Sequence, residues 1–126
     1  IAAATVSIDP VYVSESLPHV GDRPLPLYVY FREPLLFDSN YHARMFVTGS
    51  NVYEDPATGS AAAAFAGMIL AKDQPVDGSS QWWIEQGMEM GRPSRIRLEL
   101  DVSNQTLTGA RIGGTAAKIA EGRLFV

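Results

Sequence analysis

Glu54-Asp55-Pro56-Ala57-Thr58-Gly59-Ser60 runs directly into Ala61-Ala62-Ala63-Ala64-Phe65-Ala66-Gly67-Met68-Ile69-Leu70-Ala71. An aspartate before proline disfavours helix at Asp55, because the ring crowds the preceding backbone. Thr58 or Asp55 then stands ready to cap the helix that follows, and Pro56 is tolerated where first-turn amides have no intrahelical acceptor. The sequence predicts a helix over about 58–71 with no polar face. A helix apolar all round belongs inside something, and this one is too short for a bilayer, which needs about 20 such residues. Its alanines keep the cylinder thin, so strands can wrap close around it as the central rod of a domain. Its N-terminus is the one polar end, where free amides and the helix dipole favour an anion. Gly59 lets a ligand approach the backbone, with Asp55 and Ser60 on either side to accept and donate hydrogen bonds. Read locally, the same pattern also serves as no more than a helix cap.

The rest of the chain bounds the answer. Its 126 residues are the size of one domain, and 46% are hydrophobic, enough for a core. Ten basic against fourteen acidic residues give a formal charge of −4, which argues against a nucleic-acid partner. Arg92, Arg95 and Arg97 are the nearest approach to a basic patch and read as a solvated sheet face. With no cysteine, disulfides, thiolate metal sites and a thiol nucleophile are excluded. The two histidines, His19 and His42, are too few and too far apart to suggest a metal centre. No targeting or membrane segment is visible, so a cytoplasmic setting is the default. The opening Ile-Ala-Ala-Ala-Thr-Val-Ser-Ile reads as the interior of a domain, and a piece of a longer polypeptide is expected.

In chain order, Ala4–Ile8 and Val11-Tyr12-Val13 are β-prone runs punctuated by Pro10, Pro18, Gly21 and Pro24. Pro26–Phe31 and Ala43–Val47 read as strands, the second ending in the turn residues Thr48-Gly49-Ser50-Asn51. Arg44 has two readings, a buried clamp on Glu54 or Asp55 or a surface strand residue. Lys72 suits the negative end of the helix dipole, and Pro75 and Gly78 stop the helix. Gln81–Glu85 is a strand with Trp82 and Trp83 on opposite faces. Arg95–Asp101 alternates with Ile96, Leu98 and Leu100 inward. Thr106–Ile112 returns it, and Gly113-Gly114 and Glu121-Gly122 signal two more hairpins.

Three motifs in order and spacing, Ala43-Arg44-Met45-Phe46, EDPATGSAAAA from Glu54, and Gln86-Gly87-Met88-Glu89-Met90-Gly91-Arg92-Pro93-Ser94, resemble the C-terminal half of a phenazine-biosynthesis (PhzF-like) isomerase. The resemblance covers roughly residues 26–126 and favours the clamp reading of Arg44. It implies the diaminopimelate-epimerase fold: two similar lobes, each a barrel-like sheet around a central helix, with the active site between them. On that basis this chain is α+β, one lobe, with a mostly antiparallel barrel-like sheet wrapped around the apolar helix at about 58–71. Residues 1–25 form a poorly defined N-terminal segment and 26–126 the lobe.

The family's characterised members shift a proton within a small substrate without metal or organic cofactor. Its motif aspartate falls on Asp55, here the catalytic and substrate-binding candidate, and its motif serine on Ser60. The helix amides near Gly59 and Ser60 are expected to hold a substrate carboxylate, supported by Arg44, Glu54, Thr58, Gly91 and Arg92. The family's general acid/base glutamate and an assisting histidine lie in the N-terminal lobe, which has no counterpart here. Glu54 does not take that role, and neither His19 nor His42 sits in a matching motif. The expected partners are a small carboxylate-bearing substrate and either the missing lobe or a second copy of the chain, with no nucleic acid and no membrane. The competing reading is a non-catalytic fragment or a self-associating small-ligand-binding domain. Cysteine-dependent epimerases of the same fold are ruled out by composition.

Overall fold

The computed structural model describes residues 5–49 and 52–125. It begins with a short helix, α1 (Pro10–Ser16), and a two-stranded ribbon, β1 (His19–Val20) with β2 (Arg23–Pro24). The remaining elements are β3 (Leu27–Phe31), β4 (Tyr41–Val47), β5 (Tyr53–Asp55), α2 (Gly59–Asp73), β6 (Gly78–Gln86), β7 (Ser94–Ser103) and β8 (Thr106–Gly113). They form a six-stranded sheet in the order β3-β4-β6-β7-β8, with β5 paired to β4.

All pairings in this sheet are antiparallel except β4 with β6, which run parallel through Tyr41↔Ile84 to Ala43↔Gln86. A parallel neighbour needs a long crossover, and α2 is that crossover. β4 is therefore flanked on both edges: by β3 along His42–Phe46 on one, and by β6 at Tyr41–Ala43 and then β5 at Met45–Val47 on the other. The β7–β8 hairpin turns at Asn104 (φ 49°) and Gln105 (φ 57°). Two successive positive φ values suit a right-twisted hairpin. The Asp77 carboxylate steadies the turn by accepting from both backbone amides, at 2.8 and 3.4 Å.

The core lies between α2 and one face of the sheet. Ala62, Phe65, Ala66 and Ile69 recur at helical spacing and pack with Tyr41, Ala43, Ile84, Ile96, Leu98 and Leu100. Phe65 meets the edges of Tyr28, Tyr30 and Tyr41 at 4.8–5.6 Å between ring centres, the geometry aromatic quadrupoles prefer. Trp82 joins this side, stacked on Tyr41, while Trp83 lies on the other face beneath Arg95. Although α2 has no polar face, only one of its stripes is covered by the described residues. Ser60, Ala64, Gly67 and Ala71 form an exposed opposite stripe, and among the described residues the sheet is open, with β3, β5 and β8 each unpaired on one edge.

Three local expectations are corrected. Val11-Tyr12-Val13 is helical despite its β-prone side chains, because Asp9 caps α1 by accepting from Val11 N and Tyr12 N at 2.9 and 3.3 Å. Pro10 at the first helical position completes that start. The hairpins expected at Gly113-Gly114 and at Glu121-Gly122 do not form among the described residues: β8 ends at Gly113, residues 114–125 carry no strand, and Ile119, Leu124 and Phe125 are about nine-tenths exposed. A two-stranded return is marginal in water without a face to cover. Ala4, Ser50 and Asn51 lie outside the described residues. No helix among the described residues is long and apolar enough to cross a membrane.

Candidate active site

The motif Glu54–Ser60 spans the end of β5, a short loop and the first turn of α2. β5 pairs with β4 so that Phe46 faces Glu54 and Met45 faces Asp55. Because successive side chains alternate across a strand, Glu54 and Asp55 point to opposite sides of the sheet.

Glu54 points to the outer side, away from α2. There Arg44 donates to it through Nε and Nη2, each at 2.9 Å, a two-bond fork. Arg44 also lies over the Phe46 ring at 5.2 Å, and its guanidinium is held further above its ordinary pKa chiefly by the bond to Glu54. Next to this pair, His42 is 1% exposed and sits between two carboxylates, Nδ1 against Glu85 and Nε2 against Glu89, both at 2.7 Å. Glu85 accepts in addition from the backbone amides of Leu35 and Leu36, at 2.6 and 2.9 Å. Five ionisable groups thus share a nearly dry layer, a costly arrangement unless every member is paired. Nothing in the sequence pattern singled out His42, Glu85 or Glu89. Glu89 lies inside the third motif, and His42 and Glu85 each stand one position before a motif; that adjacency was the available signal.

Asp55 points to the helix side. Its Oδ2 accepts from the Thr58 hydroxyl at 2.6 Å. Thr58 occupies the N-cap position of α2, and its side chain does not cap. Asp55 does not cap either, because its carboxylate is turned to Thr58. The first helical bond runs from Ala62 N to Thr58 O at 3.0 Å, so the first-turn amides receive no side-chain cap. An uncapped N-terminus is where the helix's partial positive charge is available to a ligand.

Gly59 and Ser60 open onto different clefts. Gly59 lines one of about 490 Å³ with Ala57, Ser94, Ile112, Gly113 and Gly114. Ser60 lines another of about 450 Å³ with Tyr28, Met45, Ala61, Ala64 and Met68. A Cβ added to Gly59 would come within 2.7 Å of the Ile112 Cδ1, so this glycine also lets β8 pack across the helix start. In the second cleft the Tyr28 hydroxyl has no partner among the described residues, and burial raises its pKa far above the usual phenol value.

The loop is held from behind by the third motif. Ser94 Oγ shares its one proton between Pro56 O at 2.9 Å and Gln86 O at 3.2 Å. Gly87 adopts φ +77°, and a Cβ there would collide with the backbone oxygens of Arg92 and Pro56, the latter at 2.7 Å. Only glycine meets both demands cheaply. Arg92 N closes the turn onto Gly87 O at 3.0 Å, while Gly91 sits at φ +65°. Gly91 and Arg92 are exposed and line neither cleft. The structure thus groups Arg44 with Glu54 and Asp55 with Thr58, sets Gly59 and Ser60 on two sides of the helix start, and leaves Gly91 and Arg92 in a supporting turn. Among the described residues no group of three or more histidine or carboxylate side chains is disposed to hold a metal ion.

A family model described as phenazine biosynthesis-like protein matches residues 28–122. The chain belongs to the phenazine biosynthesis-like family. It is 55% identical over 126 residues to an uncharacterized isomerase of Mesorhizobium japonicum, covering 99% of this chain and 42% of that protein. It is 36% identical over 87 residues to the trans-2,3-dihydro-3-hydroxyanthranilate isomerase of Pseudomonas aeruginosa, covering 69% of this chain and 31% of the enzyme. Among solved structures, the Bacillus anthracis phenazine biosynthesis protein of the PhzF family superposes with a TM-score of 0.62. That match has 24% identity and covers 71% of this chain and 31% of the other, so it speaks to the fold alone. This family member spans less than half the length of these relatives.

Proposed function

We propose that the chain is the C-terminal lobe of a cofactor-independent isomerase that moves a proton within a small carboxylate-bearing metabolite. The observation that carries this reading is the conjunction at the start of α2: a carboxylate, Asp55, fixed by Thr58 beside first-turn amides with no side-chain cap. Those amides suit a substrate carboxylate and offset charge that develops as a carbon acid loses its proton. Ser60 adds a hydroxyl donor, and Asp55 anchors a polar substituent next to the migrating proton. The general acid/base glutamate comes from the partner lobe, facing this end of the helix. In the complete protein, further strands close the sheet between β3 and β8 and cover the Ser60–Ala64–Gly67–Ala71 stripe, making α2 central.

The relative from Pseudomonas aeruginosa supplies the first compound to try, trans-2,3-dihydro-3-hydroxyanthranilate. The test is isomerisation by the complete protein in D2O, followed by NMR for deuterium entering the product, with a panel of related small carboxylates alongside. Asp55→Asn should lower kcat by at least about tenfold, the loss expected when a substituent beside the migrating proton is held less well, while the circular dichroism spectrum stays native. Unchanged turnover would remove Asp55 from the mechanism.

A further inference from the structure

Gln86 is fully buried at the end of β6, where a primary amide must find partners for its donors and acceptor. Its Nε2 lies 2.6 Å from Asp55 O and 3.1 Å from Thr58 Oγ1, and its Oε1 accepts from Thr58 N at 3.3 Å. Turning the amide over would set oxygen against the Asp55 carbonyl and NH2 against the Thr58 amide, so these backbone partners fix which end is which. The consequence passes to Thr58. Its oxygen already accepts from Gln86, and its single proton goes to Asp55 Oδ2 at 2.6 Å. A neutral donor serving a carboxylate makes a short, strong bond.

We propose that Gln86 is a positioning residue for Asp55, acting through the Thr58 hydroxyl in a one-way hydrogen-bond chain from Gln86 amide to Thr58 hydroxyl to Asp55 carboxylate. The chain also explains why Thr58 leaves α2 uncapped: its oxygen is turned toward the glutamine and its proton toward the aspartate. This inference rests on the proposed role of Asp55 and extends it to a residue on a different strand, 31 positions away.

The test uses the complete protein with Thr58→Val, Thr58→Ser and Gln86→Met, each alone and combined with Asp55→Asn. Thr58→Val and Gln86→Met should lower kcat at least about tenfold with KM within about threefold, and Thr58→Ser should stay within about threefold of native. In the Asp55→Asn background neither Thr58→Val nor Gln86→Met should lower kcat further. Fully additive losses there would overturn the chain in favour of a general packing role. Urea unfolding of the same set gives a readout independent of catalysis. The Gln86→Met and Asp55→Asn effects should couple by at least about threefold in the unfolding constant, and the coupling should vanish once Thr58→Val is present. A protein inactive toward every carboxylate tried defeats the functional reading, and the unfolding cycle still decides the chain. Coupling that survives Thr58→Val overturns it.

Discussion

On the face of β4 turned toward α2, Tyr41, Ala43 and Met45 are at most 7% exposed and pack among aliphatic and aromatic side chains. On the opposite face His42 and Arg44 are no more exposed, yet their neighbours are Glu54, Glu85 and Glu89. Both faces of one strand exclude water, one by apolar packing and the other by paired charge. The two kinds of burial fail differently. Trimming an apolar side chain costs the lost contacts and a cavity, whereas removing one member of a buried ion pair strands its partner without solvent.

The largest expected effect therefore lies on the charged face. His42→Leu leaves Glu85 and Glu89 facing each other across an apolar side chain and should cost about 3–5 kcal/mol of unfolding free energy. Urea denaturation measures it, and a loss under about 1 kcal/mol would mean that the layer is wetter than its burial indicates. The second perturbation strikes where the third motif meets the loop. Gly87→Ala should cost roughly 1–3 kcal/mol, because its φ is left-handed and Pro56 O stands where the methyl must go. On the proposed function it should also raise the KM of the complete protein by displacing the Asp55 loop, and an unchanged KM would detach that loop from the turn behind it.

The smallest effect is at the exposed rim, where paired charges keep their water. Hydrogen bonds from Arg111 and then Ser79 hold the Asp101 carboxyl down to about 2, from an ordinary 3.8. A carboxyl with a depressed folded pKa stabilises the fold above its unfolded value and loses that contribution as pH falls through the folded one. Arg111→Ala should thus be slightly less stable than the native chain at neutral pH, and the gap should close between about pH 4 and pH 2. Parallel acid titrations of the two proteins, followed by tryptophan fluorescence, would reveal a gap that instead stays constant.

The contrast between the faces also sets what the sequence could disclose. Ile96, Leu98 and Leu100 alternate over a strand whose partners are its immediate chain neighbours, so pattern and turn chemistry suffice. The start of α2 was likewise visible in Asp55-Pro56 before an apolar run. Tyr41-His42-Ala43-Arg44 alternates in the same way, and alternation alone implies a polar face in water. Its burial is supplied from afar, by Glu85 across a parallel pairing and by the Leu35-Leu36 loop, and periodicity carries no trace of either. The same distance hid the tie between Gln86 and Thr58. At α1 the failure was local: Val11-Tyr12-Val13 prefers strand, and one aspartate in the right place outweighed it.

The insertion of α2 between β4 and β6 has a consequence for synthesis on the ribosome. Glu85 follows His42 by 43 residues, so at about 5–20 residues per second the β3–β4 hairpin waits roughly 2–9 s for β6. During that interval the hairpin shows the surrounding solvent one greasy side and one hydrated, cationic side. The charges that are costly in the finished sheet keep half of the nascent hairpin wettable until their carboxylates emerge.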